Sequence, residues 1–270
     1  MSTSSPDTLS LAGKTAIITG SGRGNGIGAA IARAFARNGA AVAIHHVSDS
    51  SQASADKLAA SLAAEYGVRT TVVRGDVADR GVARRIVEDA LTGLDVGCVD
   101  ILVNNAGGAV PTQNLLEVTD EDIAAEFGTN VFSAIYMSQA VVQIGRMPPG
   151  GRIINVGSIA SKTSTAGTAL YNATKAAQDS LTTGLASDLG HSHGITVNTL
   201  APGPIPTDTS KPFLESPDGP GSVMAKLARA APRLGAVEDM ADAALLLASE
   251  KSRWITAQWI SVSGGVTGTM

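Results

Sequence analysis

Short apolar runs recur along this chain, each followed by a stretch with helical spacing, and that alternation limits the fold more than any other feature. Residues 15–19, 41–45, 101–104 and 152–156 are continuously apolar for most of their length. A half-exposed strand would alternate apolar and polar positions, so these runs read as strands covered on both faces. Residues 72–74, 196–200 and 259–262 look like three more. Helical spacing fills 27–38, 51–66, 82–91, 120–144, 169–189 and 238–249. Strand then helix, repeated throughout, predicts an α/β fold: one doubly wound parallel sheet of about seven strands, with right-handed crossover helices on both faces.

The chain has 270 residues, enough for one sizeable core. The opening decapeptide MSTSSPDTLS is polar and lacks a basic, apolar leader pattern. It reads as a flexible tail (1–10) ahead of a single domain (11–270). No apolar run approaches the ~20 residues that cross a bilayer. The formal charge is −4 and the basic residues are scattered, which argues against nucleic acid or a membrane surface as partner. The single cysteine, Cys98, excludes an internal disulfide and fits a reducing compartment, so a cytoplasmic protein is expected. Only PGPIPTDTSKPFLESPDGPGS, residues 202–222, breaks the rhythm. It follows a strand on the side where open α/β sheets bind ligands, and reads as part of a substrate lid over about 203–232.

The first strand runs into TGSGRGNGIG, residues 19–28, with five glycines in ten positions. A glycine-rich turn between strand and helix lets the backbone approach a pyrophosphate, and the helix N-terminus offers it N–H groups. Together with NNAG at 104–107, Ser158 and YNATK at 171–175, the loop resembles that of the short-chain dehydrogenase/reductase family. The resemblance covers about residues 11–265, with the motifs in family order and spacing. It implies a Rossmann-type fold, a nicotinamide cofactor and oxidoreduction between carbonyl and alcohol.

The family loop reads TG-x-x-x-G-x-G, and ten residues usually separate its last glycine from a Gly-Ala pair. Counting back from Gly39-Ala40 puts that glycine at Gly28, and the first is Gly20. The loop is then two residues longer than usual, most simply through an Asn25-Gly26 insertion. The rival register, Gly20-x3-Gly24-x-Gly26, would start the helix differently. Gly20, Gly24, Gly26, Ile27 and Gly28 are the implied phosphate-loop contacts.

An NAD site carries an acid near the end of the second strand, which bonds the ribose hydroxyls and repels a 2′-phosphate. Here AIHHVSDSS puts His45 and His46 there, with Asp49 about three residues late. Arg23 resembles the loop cation that NADP-using members set against the 2′-phosphate. His46, Ser48 and Ser50 can add hydrogen bonds, so NADP(H) is the expected cofactor. The resemblance also assigns Asp76 and the Val77 backbone to adenine, and Asn104, Ala106 and Gly107 to the adenine ribose. Pro202-Gly203-Pro204-Ile205-Pro206-Thr207 fits PG-x-I-x-T, with Ile205 N–H and the Thr207 hydroxyl on the carboxamide.

Tyr171 and Lys175 are four apart in a helical stretch and share a face. A tyrosine titrates near pH 10, and a neighbouring ammonium should lower that value. By resemblance, Tyr171 protonates the carbonyl oxygen, Ser158 polarises it, and Lys175 tunes the tyrosine and bonds the nicotinamide ribose. Asn130 matches the helix asparagine that holds a water on the proton relay. No metal is expected.

For the substrate, Phe213, Leu214 and Met224 of the lid face a wall drawn from Ala160, Thr165 and Ala166, with Ser158 and Tyr171 at its base. These suggest an apolar ketone, and the chain has the look of fungal naphthol and polyketide ketoreductases. A β-ketoacyl or steroid ketone, or a sugar alcohol oxidised in the reverse direction, stays open. The enoyl-reductase branch spaces its Tyr and Lys by six residues, and here three intervene. A dehalogenase-like branch replaces the lysine, and a non-catalytic NADP-binding regulator typically loses one of the three catalytic groups. Ser263 and Ala257 stand where many members carry Asp and Gly. A homotetramer is expected, with a homodimer as the alternative, and Trp254 and Trp259 are expected in the core or an interface.

Overall fold

The computed structural model describes residues 9–108, 114–163, 166–216 and 220–267. Seven parallel strands form one sheet in the order β3-β2-β1-β4-β5-β6-β7. They are β1 (Thr15–Ile18), β2 (Ala41–His46), β3 (Thr70–Arg74), β4 (Ile101–Asn104), β5 (Arg152–Val156), β6 (Thr196–Pro202) and β7 (Trp259–Val262). The order reverses between β1 and β4, so the connections leaving their carboxyl ends run to opposite faces of the sheet and leave a crevice.

The continuous apolar runs follow from this topology. Ala16 and Ile18 of β1 join a core shared with α1 (Ile27–Arg37), α2 (Gln52–Tyr66) and α9 (Val237–Ala248). Ile17 joins a second core, on the opposite face, with α3 (Arg80–Leu94), α5 (Ser133–Gln143) and α6 (Ala169–His193). With both faces dry, the central strands read as near-continuous apolar runs, and buried polar side chains among them bond one another, as Asn104 does with Asn155. Leu9 and Leu11 also pack against the first core, whereas residues 1–8 of the expected tail lie outside the described residues. Among the described residues no helix is long and apolar enough to cross a membrane.

Several boundaries differ from the sequence reading for local reasons. The side chain of Asp79 accepts from Val82 N–H at 2.8 Å and starts α3 at Arg80, two residues early. Gly194, at φ +67°, ends α6 at His193, four residues late. The helix expected over 120–144 is in fact two, α4 (Asp120–Phe127) and α5, joined by a π-turn at Gly128–Phe132. The expected lid carries two short helices, α7 (Lys211–Leu214) and α8 (Gly221–Leu227). Trp254 does not reach the core at all: it is 96% exposed, while Trp259 is half-buried at the start of the sheet's last strand.

Candidate active site

The glycine loop sorts its five glycines by space. Gly20 turns through φ +64°, and a Cβ there would lie 3.0 Å from Ala106 Cα. A Cβ on Gly28 would come within 2.5 Å of Asn105 Nδ2 and 2.9 Å of Gly20 O. Gly24 and Gly26 meet nothing closer than 3.6 Å, and Gly26 caps α1, which opens at Ile27. Close approaches therefore fall on Gly20 and Gly28, the two ends of the insertion register, and not on Gly24 or Gly26. The expectation did not include Gly22, where a Cβ would lie 2.7 Å from His46 Cβ.

The NNAG segment locks this turn to β4. Thr19 Oγ1 accepts from Asn105 N–H at 3.0 Å and Ala106 N–H at 2.9 Å, and Asn105 Nδ2 donates to Thr19 O at 2.8 Å. Asn104 is buried and donates to Asn155 Oδ1 on the adjacent strand. His45 adds a tie from the other side. Its Nδ1 accepts from Gly20 N–H and its Nε2 meets Gly75 O, each at 2.9 Å, so the ring must be the Nε2–H tautomer. Burial holds its pKa down at about 4 and keeps it neutral.

The insertion reaches across the crevice. Asn25 N–H donates to Asp208 Oδ2 and Asp208 N–H donates to Asn25 O, both at 3.1 Å. Arg23, expected against a 2′-phosphate, here donates to Thr209 Oγ1. His46 is buried at the end of β2 with Nδ1 on Ser48 O at 3.1 Å, and the Ser48 hydroxyl meets those of Ser50 and Ser51. Asp76 Oδ1 accepts from Ala78 N–H, and Val77 is buried beside it.

Past β6, Gly203 follows Pro202 and donates to Val262 O; its missing Cβ would lie 2.8 Å from Ser263 Cβ. Ile205 is buried, and Thr207 and Ser210 bond each other in a tight turn. Of the expected substrate wall, Phe213 is exposed, Leu214 is buried, Ala160 and Met224 are half-buried and Ala166 is exposed. Thr165 lies outside the described residues.

Ser158 leaves β5 at the same end of the sheet, its Oγ accepting from Ala160 N–H at 3.1 Å. Its hydroxyl also lies beside the Tyr171 phenol, near enough to lower that group's pKa. One turn along α6, Lys175 Nζ is buried and donates to Val156 O at 2.9 Å and Gln178 Oε1 at 3.2 Å. A Cβ on Gly107 would lie 3.4 Å from that nitrogen and 2.9 Å from Asn130 Oδ1, so glycine is needed there too. Asn130 sits in the π-turn, donating to Gly108 O at 2.8 Å and Thr174 Oγ1 at 3.1 Å while accepting from Gly108 N–H. Through these bonds one amide in the π-turn joins two neighbouring segments.

A family model described as enoyl-(acyl carrier protein) reductase matches residues 20–267. The short chain dehydrogenase penD of Penicillium thymicola is 38% identical over 266 residues, 95% of this chain and 93% of its own. The chain belongs to the short-chain dehydrogenase/reductase family. Another relative is the 7alpha-hydroxysteroid dehydrogenase of Escherichia coli K12, 36% identical over 96% of both chains. Among solved structures, a blue fluorescent protein from a metagenomic library, crystallised with NADPH, superposes with TM-score 0.85 at 40% identity. It covers 96% of this chain and 99% of its own.

In this family member burial dominates the electrostatics of α6. Burial pushes the Tyr171 phenol above its usual value, the nearby Ser158 hydroxyl lowers it in part, and the buried Glu126 carboxylate raises it. Lys175 Nζ is 5.9 Å from the tyrosine ring centre and spends its hydrogen bonds elsewhere. Burial also lowers Lys175 to about 8, opposed by Asp179 and Glu126. Asp179 lies one turn beyond Lys175, 3.6 Å from Lys162 Nζ. Sequence reasoning missed both carboxylates. The i+4 spacing to Lys175 was a signal for Asp179, but Glu126 reaches this site only through the packing of α4 on α6.

Proposed function

We propose that the protein reduces the ketone of an apolar small molecule to a secondary alcohol with NADPH. The observation that carries this is the Tyr171 phenol beside the Ser158 hydroxyl, with Lys175 one turn away, at the end of the sheet where the strand order reverses. The cradle for a dinucleotide fits: Gly20, Gly28 and Gly107 are positions where a side chain would collide, and the end of β2 bears no acid. The NADPH bound by the metagenomic neighbour supports the same cofactor. Gly20–Gly28 would hold the pyrophosphate, Asp76 and Val77 the adenine, Asn104–Gly107 the adenine ribose, Lys175 the nicotinamide ribose, and Pro202–Thr207 the carboxamide. When bound, NADP(H) supplies the hydride.

The chain's own residues do the rest. Ser158 and Tyr171 hold the carbonyl oxygen between two hydroxyls and favour the charge that develops on it. Tyr171 then donates its proton. Its raised pKa suits that direction, because the resting phenol stays protonated at neutral pH. Lys175 fixes the floor of the site through Val156, and Asn130 fixes the turn beside it, where a relay water would be held. The 203–232 segment would close over the substrate, tied to the glycine loop through Asp208. The exposed Trp254 and the one-sided β7 edge support a homo-oligomer, a tetramer or dimer.

The enoyl-reductase description of the matching family model favours a second reading, reduction of a C=C bond. The three residues between Tyr171 and Lys175 argue for carbonyl reduction instead. The direct test follows NADPH oxidation over hydroxynaphthalenones, quinones, β-ketoacyl thioesters, steroid ketones, keto-sugars and an enoyl thioester. Turnover confined to ketones supports the proposal. Turnover on the enoyl thioester alone refutes it, and NADPH binding with no turnover on any of them favours a regulatory protein.

A further inference from the structure

The end of β2 holds a cation that no motif in the sequence pointed to. Arg74 closes β3 as the register partner of His46. Partners in adjacent strands project from the same face, so its side chain crosses the end of β2. There Nε donates to Val47 O at 3.4 Å, and Nη1 forms a short ion pair with Asp49. Asp49 is the only acid in the AIHHVSDSS segment, and its carboxylate is 88% exposed. The strand end is therefore neutral in sum, with a guanidinium held over it by a main-chain carbonyl and a loosely placed acid. Of the cations at the glycine loop, Arg23 is turned towards Thr209 and Arg33 donates to Gly24 O.

We infer that Arg74 recognises the 2′-phosphate of the cofactor, with Asp49 serving as its counter-ion in the free protein. This deepens the NADP(H) reading above and rests on it. A guanidinium carries five N–H donors in a rigid fork matched to phosphate, and the bonds to Val47 and Asp49 use only part of that set. A phosphate bearing nearly two charges competes well with a single exposed carboxylate. Asp49 loses little when released, since water already covers most of it. A cofactor with a plain 2′-hydroxyl offers no such exchange and leaves the pair intact. The arrangement thus selects by what it gains with a phosphate, without an acid that repels its absence.

The test is equilibrium binding to the full chain, read by calorimetry. NADPH is compared with NADH, and adenosine 2′,5′-bisphosphate with adenosine 5′-phosphate, for wild type, Arg74→Ala, Arg23→Ala and Asp49→Ala. Both side chains of the pair are substantially exposed, 47% and 88%, so the variants should fold, and matching melting temperatures would confirm it. Arg74→Ala should weaken the two 2′-phosphorylated ligands by roughly 10–100-fold, the worth of a charge-assisted fork, and leave the other two unchanged. Asp49→Ala should bind NADPH at least as tightly as wild type, and Arg23→Ala should keep the wild-type preference. A preference that survives Arg74→Ala, one that vanishes in Arg23→Ala alone, or an equal loss of all four ligands overturns the assignment. A wild type with no preference for NADPH would instead refute the cofactor reading itself.

Discussion

Acid should strip stability from this protein through one histidine. His45 is 2% exposed, accepts from Gly20 N–H and donates to Gly75 O, and stays neutral down to about pH 4 against an ordinary value of 6.5. Its folded pKa is depressed, so the unfolded chain takes up the proton first. The stabilisation is full above pH 6.5 and is lost as pH falls towards 4. At about 1.4 kcal/mol per pKa unit the whole effect is about 3 kcal/mol, of which roughly 2 kcal/mol goes between pH 7 and pH 5. For a chain of this size that corresponds to roughly 4–8 °C in melting temperature. The assay is urea unfolding of wild type and His45→Asn at pH 5, 6, 7 and 8. The asparagine amide can still accept from Gly20 but does not titrate. Other groups titrate alike in both proteins, so the difference between their pH slopes isolates His45. Wild type should lose the extra ~2 kcal/mol. Parallel slopes would refute the reasoning, as would a His45 imidazole seen by NMR to protonate near pH 6.5.

The insertion register makes a paired prediction. Gly24→Ala should be tolerated, whereas Gly28→Ala, whose Cβ would sit 2.5 Å from Asn105 Nδ2, should cost about 1–3 kcal/mol of stability and most NADPH affinity. Equal effects of the two in thermal unfolding and cofactor titration would contradict it. Ala257 adopts φ +60°, a left-handed conformation that favours glycine, so Ala257→Gly should stabilise the fold by about 1 kcal/mol in urea unfolding.

The sheet was readable because parallel strands with two dry faces leave continuous apolar runs, and 101–104 and 152–156 appear at their observed ends. Ser158, Tyr171 and Lys175 were readable because their spacing survives without any tertiary knowledge. Features set by long-range contact were not. The π-turn at Gly128–Phe132 carries the Asn130 bonds to Gly108 and Thr174, and nothing in local periodicity announces it. His45 looks like an ordinary strand-end residue until Gly20 and Gly75 are placed on either side of it. The direction of the Tyr171 shift depends on burial and on where the Lys175 ammonium points, and the four-residue spacing fixes neither. Of the two places expected for Trp254, core or interface, the fold excludes the core, because in this turn before β7 the indole projects outward.

The central claim is that Tyr171 gives up a proton to a carbonyl oxygen while the rest of the site only holds and orients. Replacing it with phenylalanine removes that proton and little else. The measurement is the single-turnover rate of NADPH oxidation by wild type and Tyr171→Phe on a ketone the wild type reduces, alongside NADPH affinity for both. The account predicts at least a ~100-fold loss of rate, of the order expected for removing a general acid, with affinity nearly unchanged. A variant that still turns over at close to the wild-type rate would contradict it.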